Sequence, residues 1–120
     1  MVDGLPNAEW EQAHRAFHRS LIAACRSSRV IGYCDQLFDA SDQYRNIARA
    51  APMSEVRPIA AEHRAIMEAT VGRRADEAVA HLLAHFDGTA EIVRRELARS
   101  SAQAQPRTRP AAAGAITSEI

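Results

Sequence analysis

The sequence predicts an all-α protein, an antiparallel bundle of about four helices with a disordered C-terminal tail. Three observations carry this prediction. Apolar residues recur every three or four positions, which is the helical period. Strand-like alternation of β-branched and polar residues is absent. Glycine and proline, five of each, are scarce until the last twenty residues. A chain of 120 residues has room for one compact domain, and we read it as residues 1–100 followed by a tail at 101–120.

The first helix is predicted over residues 9–26, with Trp10, Ala13, Phe17, Leu21 and Ala24 on one stripe and Asn7 or Pro6 as its start signal. Ser27-Ser28 breaks it, because serine side chains compete for backbone hydrogen bonds. The second helix spans 30–49, with Ile31, Cys34, Leu37, Phe38, Ser41, Tyr44 and Ile47 inward and Pro52 at or beyond its end. The third lies within 54–71, where Pro58 suits a first turn but not an interior. Its stripe is Ile59, His63, Ile66 and Thr70, and Gly72 is the stop. The fourth runs over 76–99 from an Asp76 cap, with Val79, Leu82, Phe86, Thr89, Val93 and Leu97 inward and Gly88 as an interruption. Beyond residue 100, a Gln-, Pro- and Ala-rich run buries too little apolar surface to offset chain entropy.

Composition narrows the function. Fifteen Lys+Arg balance fifteen Asp+Glu, so the net charge is zero. That excludes a domain devoted to polyanion binding, which needs clustered excess positive charge. No stretch approaches the roughly 20 consecutive apolar residues of a membrane span. The N-terminus has no basic region followed by an apolar run, so no secretion signal is read. Two cysteines, Cys25 and Cys34, are too few for a disulfide scaffold and read as small buried apolar residues in a reducing cytoplasm.

Five histidines carry the most information: His14, His18, His63, His81 and His85. His14 and His18 are one turn apart and stack on one helix face beside the Trp10–Phe17–Leu21 stripe. His63 lies inside the stripe of the third helix and His85 flanks that of the fourth. His81 points toward solvent. Buried imidazoles without partners are costly, and one divalent cation removes that cost for four of them. His14, His18, His63 and His85 are therefore the candidate ligands, and imidazole suits zinc, nickel and similar metals. Cys25 is a weaker candidate as a soft ligand. A hydrogen-bonded, metal-free polar core is the alternative.

Catalytic signatures are lacking. His14-Arg-Ala-Phe-His18 has no glutamate between its histidines, Glu11-x-x-His14 is a single unit where di-iron sites use two, and Glu62 projects away from His63 to cap the helix or pair with an arginine. Arg15, Arg26, Arg45, Arg49 and Arg57 are candidates to clamp a carboxylate beside a metal. Arg45 is preferred, because it neighbours the inward Ser41 and Ile47. A histidine-bound metal with one arginine would receive a small organic acid.

Trp10, His14-x-x-Phe17-His18, Leu21, the Cys25-Arg-Ser-Ser turn, Leu37-Phe38-Asp39, Tyr44-Arg45, Glu62-His63-x-x-Ile66 and His85-x-x-x-Thr89 together resemble the FCD effector domain of GntR-type transcriptional regulators. The resemblance spans residues 9–95. It implies a helical bundle that holds a divalent metal through an Asp- or Asn-x-x-x-His pair and two later histidines. By position these are His14, His18, His63 and His85. His14 departs from the usual aspartate or asparagine and is similar to the carbon-starvation-induced regulator branch, which responds to short dicarboxylates. The resemblance also implies DNA contact through a winged-helix domain, which this sequence is expected to lack together with the first bundle helices. The apolar faces those helices would cover lead us to expect a homodimer, and the absence of an export signal a cytoplasmic one. The expected function is thus a metal-dependent small-carboxylate sensor and not an enzyme. The alternatives are a small DinB-like metalloenzyme and a non-functional truncated fragment.

Overall fold

The computed structural model describes residues 7–52 and 57–104. These residues form α1 (Ala8–Ile22), a short 3₁₀ turn (Ala23–Cys25), α2 (Ser28–Ala40), α3 (Asp42–Arg49), α4 (Ile59–Val71) and α5 (Ala75–Ala104). The all-α expectation holds, with five α-helices in place of about four.

Local chemistry explains most boundaries. Asn7 caps α1 by accepting the Trp10 backbone N–H at 2.9 Å. Ser27 caps α2 by accepting the Val30 N–H at 3.3 Å. The predicted second helix is broken at Ser41, where the Oγ donates to the Phe38 carbonyl at 3.0 Å and Arg45 Nη1 reaches the same oxygen at 2.6 Å and the same carbonyl at 2.8 Å. Side-chain donors satisfy that carbonyl, and the helix ends at Ala40 and restarts at Asp42 as α3. The third predicted helix begins later than its earliest reading, at Ile59 after Pro58. Residues 53–56 lie outside the described residues.

At the end of α4, Gly72 is the cap, but the left-handed residue is Arg73, at φ 55°. The Arg73 and Arg74 N–H groups close the turn on the carbonyls of Thr70 and Ala69. The expected disordered tail is corrected at its start, because α5 continues without interruption through Gly88 to Ala104. Residues 105–120 lie outside the described residues.

The apolar core sits between α4 and α5, joined by three residues as a helical hairpin. Ile66, Ala69, Ile92 and Val93 are its buried hydrophobic side chains. Helix α3 packs on α5, while α1 packs mainly on α2. No residue of α1, α2 or α3 is fully buried. Several residues expected to face inward are exposed instead: Leu37, Tyr44, Val79, Phe86 and Leu97. Each has the right period, but the described residues supply no helix over that face. Cys25 is also exposed, contrary to its reading as a buried residue, because it lies in the 3₁₀ turn rather than within a helix. Cys34 is half-buried. No helix among the described residues is long and apolar enough to cross a membrane.

Candidate metal centre

Four imidazoles meet where α1 lies against the α4–α5 hairpin. One turn of α1 presents His14 and His18, whose Nε2 atoms are 3.1 Å apart. His63 comes from α4 and His85 from α5, with ring centroids 4.6 Å apart. His63 is 5.0 Å from His14 and 5.3 Å from His18, centroid to centroid. One nitrogen from each of the four rings lies within 4.8 Å of the others.

Aromatic side chains wall the cluster. Trp10 stacks on His14 at 4.7 Å, Phe17 packs against His18 and His63, and Phe38 stands over His14. Phe86, although half-exposed, covers His18 at 5.8 Å. These walls set the electrostatics. Burial, followed by repulsion from His18, His63 and Arg45, lowers the His14 pKa from 6.5 to about 3. Burial, then His85, His63 and Arg45, lowers that of His18 to about 4. The His63 value is lowered by burial and by His85, against the opposing pull of Glu62. Near neutral pH these three rings are uncharged, so their lone pairs are free to coordinate.

The donor set fits a divalent cation. His14 Nδ1 and His63 Nε2 are buried without a hydrogen-bond partner, a costly arrangement for plain packing. Metal–imidazole bonds of about 2.0–2.1 Å allow nitrogens on one ion to lie up to ~4.2 Å apart. Donor atoms within 4.8 Å of one another would draw together on binding to reach such spacings. An all-imidazole set suits zinc, nickel, copper or iron better than calcium or magnesium, which take oxygen ligands.

Other predicted residues lie to one side. His81 is at the surface beside Glu77, at 3.7 Å. Cys25 Sγ faces the Ser27 carbonyl, outside the cluster. Glu11 pairs with Arg49 at 2.7 Å, and Arg15 with Asp39. Arg26 caps the 3₁₀ turn in a left-handed conformation. The Arg45 guanidinium lies 3.8 Å over the Phe38 ring and binds Ser41 and Asp42, so it borders the cluster from the α2–α3 break while its Nε lacks a partner.

Sequence reasoning foresaw that Glu62 pairs with an arginine but missed what the pair touches. Glu62 Oε2 accepts from His85 Nδ1 at 2.6 Å, while Arg57 grips the same carboxylate. Burial raises the Glu62 pKa, but hydrogen bonds from His85 and Arg57 outweigh it and hold the carboxyl below its usual value. With Nδ1 donating to a carboxylate, the position left on His85 for a metal is Nε2. Gly88 was the available signal: a glycine one turn beyond His85, in mid-helix, marks a close approach by another group.

Residues 2–88 match the FCD domain family model. The chain belongs to the FCD domain family. It is 30% identical over 87 residues to an uncharacterized HTH-type transcriptional regulator, BphR, of Paraburkholderia xenovorans strain LB400. That match covers 72% of this chain and 35% of the relative, so the FCD domain seen here spans about a third of the relative's length. No solved structure matches the chain.

Proposed function

We propose that this FCD domain senses a small organic acid through a divalent metal held by His14, His18, His63 and His85, as the effector-binding part of a GntR-type regulator of transcription. The observation that carries this reading is the convergence of four imidazole nitrogens within 4.8 Å from three helices. Membership of the FCD family and the regulator relative support a regulatory rather than a catalytic role.

A bound zinc or nickel ion would supply a Lewis-acidic position for a carboxylate. The protein's part is to orient and to select. Imidazole ligands bring no charge of their own to a metal, so a bound ion would keep its full double charge, and Arg45 adds a guanidinium beside Phe38. A short dicarboxylate matches that positive field better than a monoacid or a neutral guest. Its binding would shift the balance between geometries of a homodimer, and through a winged-helix domain the affinity for DNA. Val30, Tyr33 and Leu37 support the dimer, since they form one exposed apolar face of α2. A regulator of this kind works in the cytoplasm.

The test is metal analysis of purified protein together with thermal melting in zinc or nickel, with and without succinate. The expected result is one metal per chain and a further rise in melting temperature on adding succinate. His63→Ala is expected to lower metal content and melting temperature together. An unchanged metal stoichiometry in that variant would remove His63 from the site.

A further inference from the structure

We propose that Glu62 and Arg57 are positioning residues for the His85 imidazole, and that Gly88 is the opening in α5 that admits Arg57. The inference rests on the metal-centre reading, and it concerns residues that do not themselves coordinate.

The arrangement is a closed set of hydrogen bonds around one turn of α5. Glu62, in the first turn of α4, accepts the His85 Nδ1–H at 2.6 Å. Arg57, just before α4, donates from Nε to Glu62 Oε1 at 3.1 Å and from Nη2 to Oε2. The same guanidinium donates from Nη2 to the His85 carbonyl at 2.9 Å and from Nη1 to Thr89 Oγ1 at 2.7 Å. One planar group thus holds both the carboxylate that orients the ring and the helical turn that carries it. The fork needs arginine's geometry, since a lysine ammonium cannot grip two carboxylate oxygens and two further acceptors in one plane.

Space for that fork exists only because residue 88 lacks a side chain. A Cβ placed there would lie 2.7–2.9 Å from Cζ, Nη2 and Nε of Arg57. The flexible end of Arg57 would give way, so alanine at this position displaces the guanidinium without breaking the helix. That separates positioning from folding. A plain ion pair between α4 and α5 would contribute to stability alone. A positioning pair also fixes which nitrogen of His85 carries the proton and where the other lone pair points.

The experiment compares wild-type protein with Glu62→Ala, Arg57→Lys and Gly88→Ala. Nitrogen-15 NMR of the histidines in chelator-treated protein reads the tautomer, and competition titration reads zinc affinity. The expected result is a His85 ring protonated at Nδ1 in the wild type, a loss of that fixed tautomer in Glu62→Ala, and a zinc Kd raised about 10–100-fold in Glu62→Ala. Gly88→Ala is expected to keep its helical circular dichroism while binding zinc more weakly than the wild type. Arg57→Lys is expected to fall between wild type and Glu62→Ala. An unchanged His85 tautomer and zinc Kd values within about twofold of wild type, even with lower melting temperatures, would overturn the inference. Wild-type protein that takes up no zinc would instead sink the metal-centre reading, and the metal-free His85 tautomer would still judge the positioning.

Discussion

Acidification of the metal-free domain is the perturbation whose consequence follows most directly from the histidine cluster. The folded-state pKa values of His14 and His18 are about 3 and about 4, against 6.5 for an unperturbed imidazole. Between pH 6.5 and 4 the unfolded chain therefore binds more protons than the folded one, and stability falls as pH falls through that window. At pH 5 the medium is about 1.5 units below the unfolded value, which corresponds to about 2 kcal/mol for each ring at 1.36 kcal/mol per unit. Solvent reaching the half-buried rings screens part of this, leaving about 2–4 kcal/mol for the pair. His63 acts in the same direction. Glu62, held below 4.5, loses stability in the same direction at the acid end of the window and so does not offset the loss.

A loss of that size is a large share of the ~5–15 kcal/mol that stabilises an ordinary domain. It corresponds to a fall in melting temperature of at least about 8 °C between pH 7.5 and pH 5. The assay is circular-dichroism melting in excess chelator, with a His14→Asn/His18→Asn double variant as control. The wild type is expected to lose stability steeply and the double variant much less. Equal slopes in the two proteins, or a wild-type melting temperature flat to pH 5, would refute the claim that these rings are buried in neutral form.

Four further outcomes are expected. Because His14 and His18 carry no proton to displace, zinc binding between pH 6 and 7.5 is expected to release almost none from them, which calorimetry in buffers of differing ionisation enthalpy measures. Gly32→Ala, in the middle of α2 with open space around its Cβ position, is expected to raise stability by about 0.5–1 kcal/mol in denaturant titration. Arg73→Gly relieves the left-handed strain at φ 55° and is expected to stabilise by up to about 1 kcal/mol, read in the same way. Ile66→Ala empties the largest fully buried side-chain position and is expected to cost about 2–5 kcal/mol, which chelator-treated protein near room temperature reveals as a lower denaturation midpoint.

Periodicity made the four-histidine cluster legible because each histidine sits on, or one step from, an apolar stripe, and a helix wheel converts that spacing directly into direction. The break at Ser41 was not legible. Its stripe position was correct, but the competing bonds from Ser41 and Arg45 to the Phe38 carbonyl depend on rotamers that a wheel does not contain. Leu37 and Val79 show another limit. A pattern reveals which residues favour burial, not whether a neighbouring element arrives to bury them. The Arg57–Glu62–His85 set joins positions 23 and 28 residues apart and depends on tertiary packing, so only the mid-helix glycine hinted at it.

The distribution of burial bears on how occupancy of the site could be transmitted. Helices α4 and α5 hold each other through Ile66, Ala69, Ile92 and Val93, and this hairpin would keep its shape whether or not the cluster is filled. Helix α1 has no buried residue of its own, and its ring contacts to the hairpin run from Phe17, His14 and His18 to His63, His85 and Phe86. A cation shared by His14, His18, His63 and His85 would therefore tie a loosely held helix to a firmly packed one. The free energy of binding would appear mainly as a restriction of α1, and of the α2 face packed on it, relative to α5. Since α2 carries the exposed Val30, Tyr33 and Leu37, the surface proposed for dimer contact lies on the element whose position the site would fix. A guest carboxylate would then act on the dimer through a change in that restriction, without any need to deform the α4–α5 core.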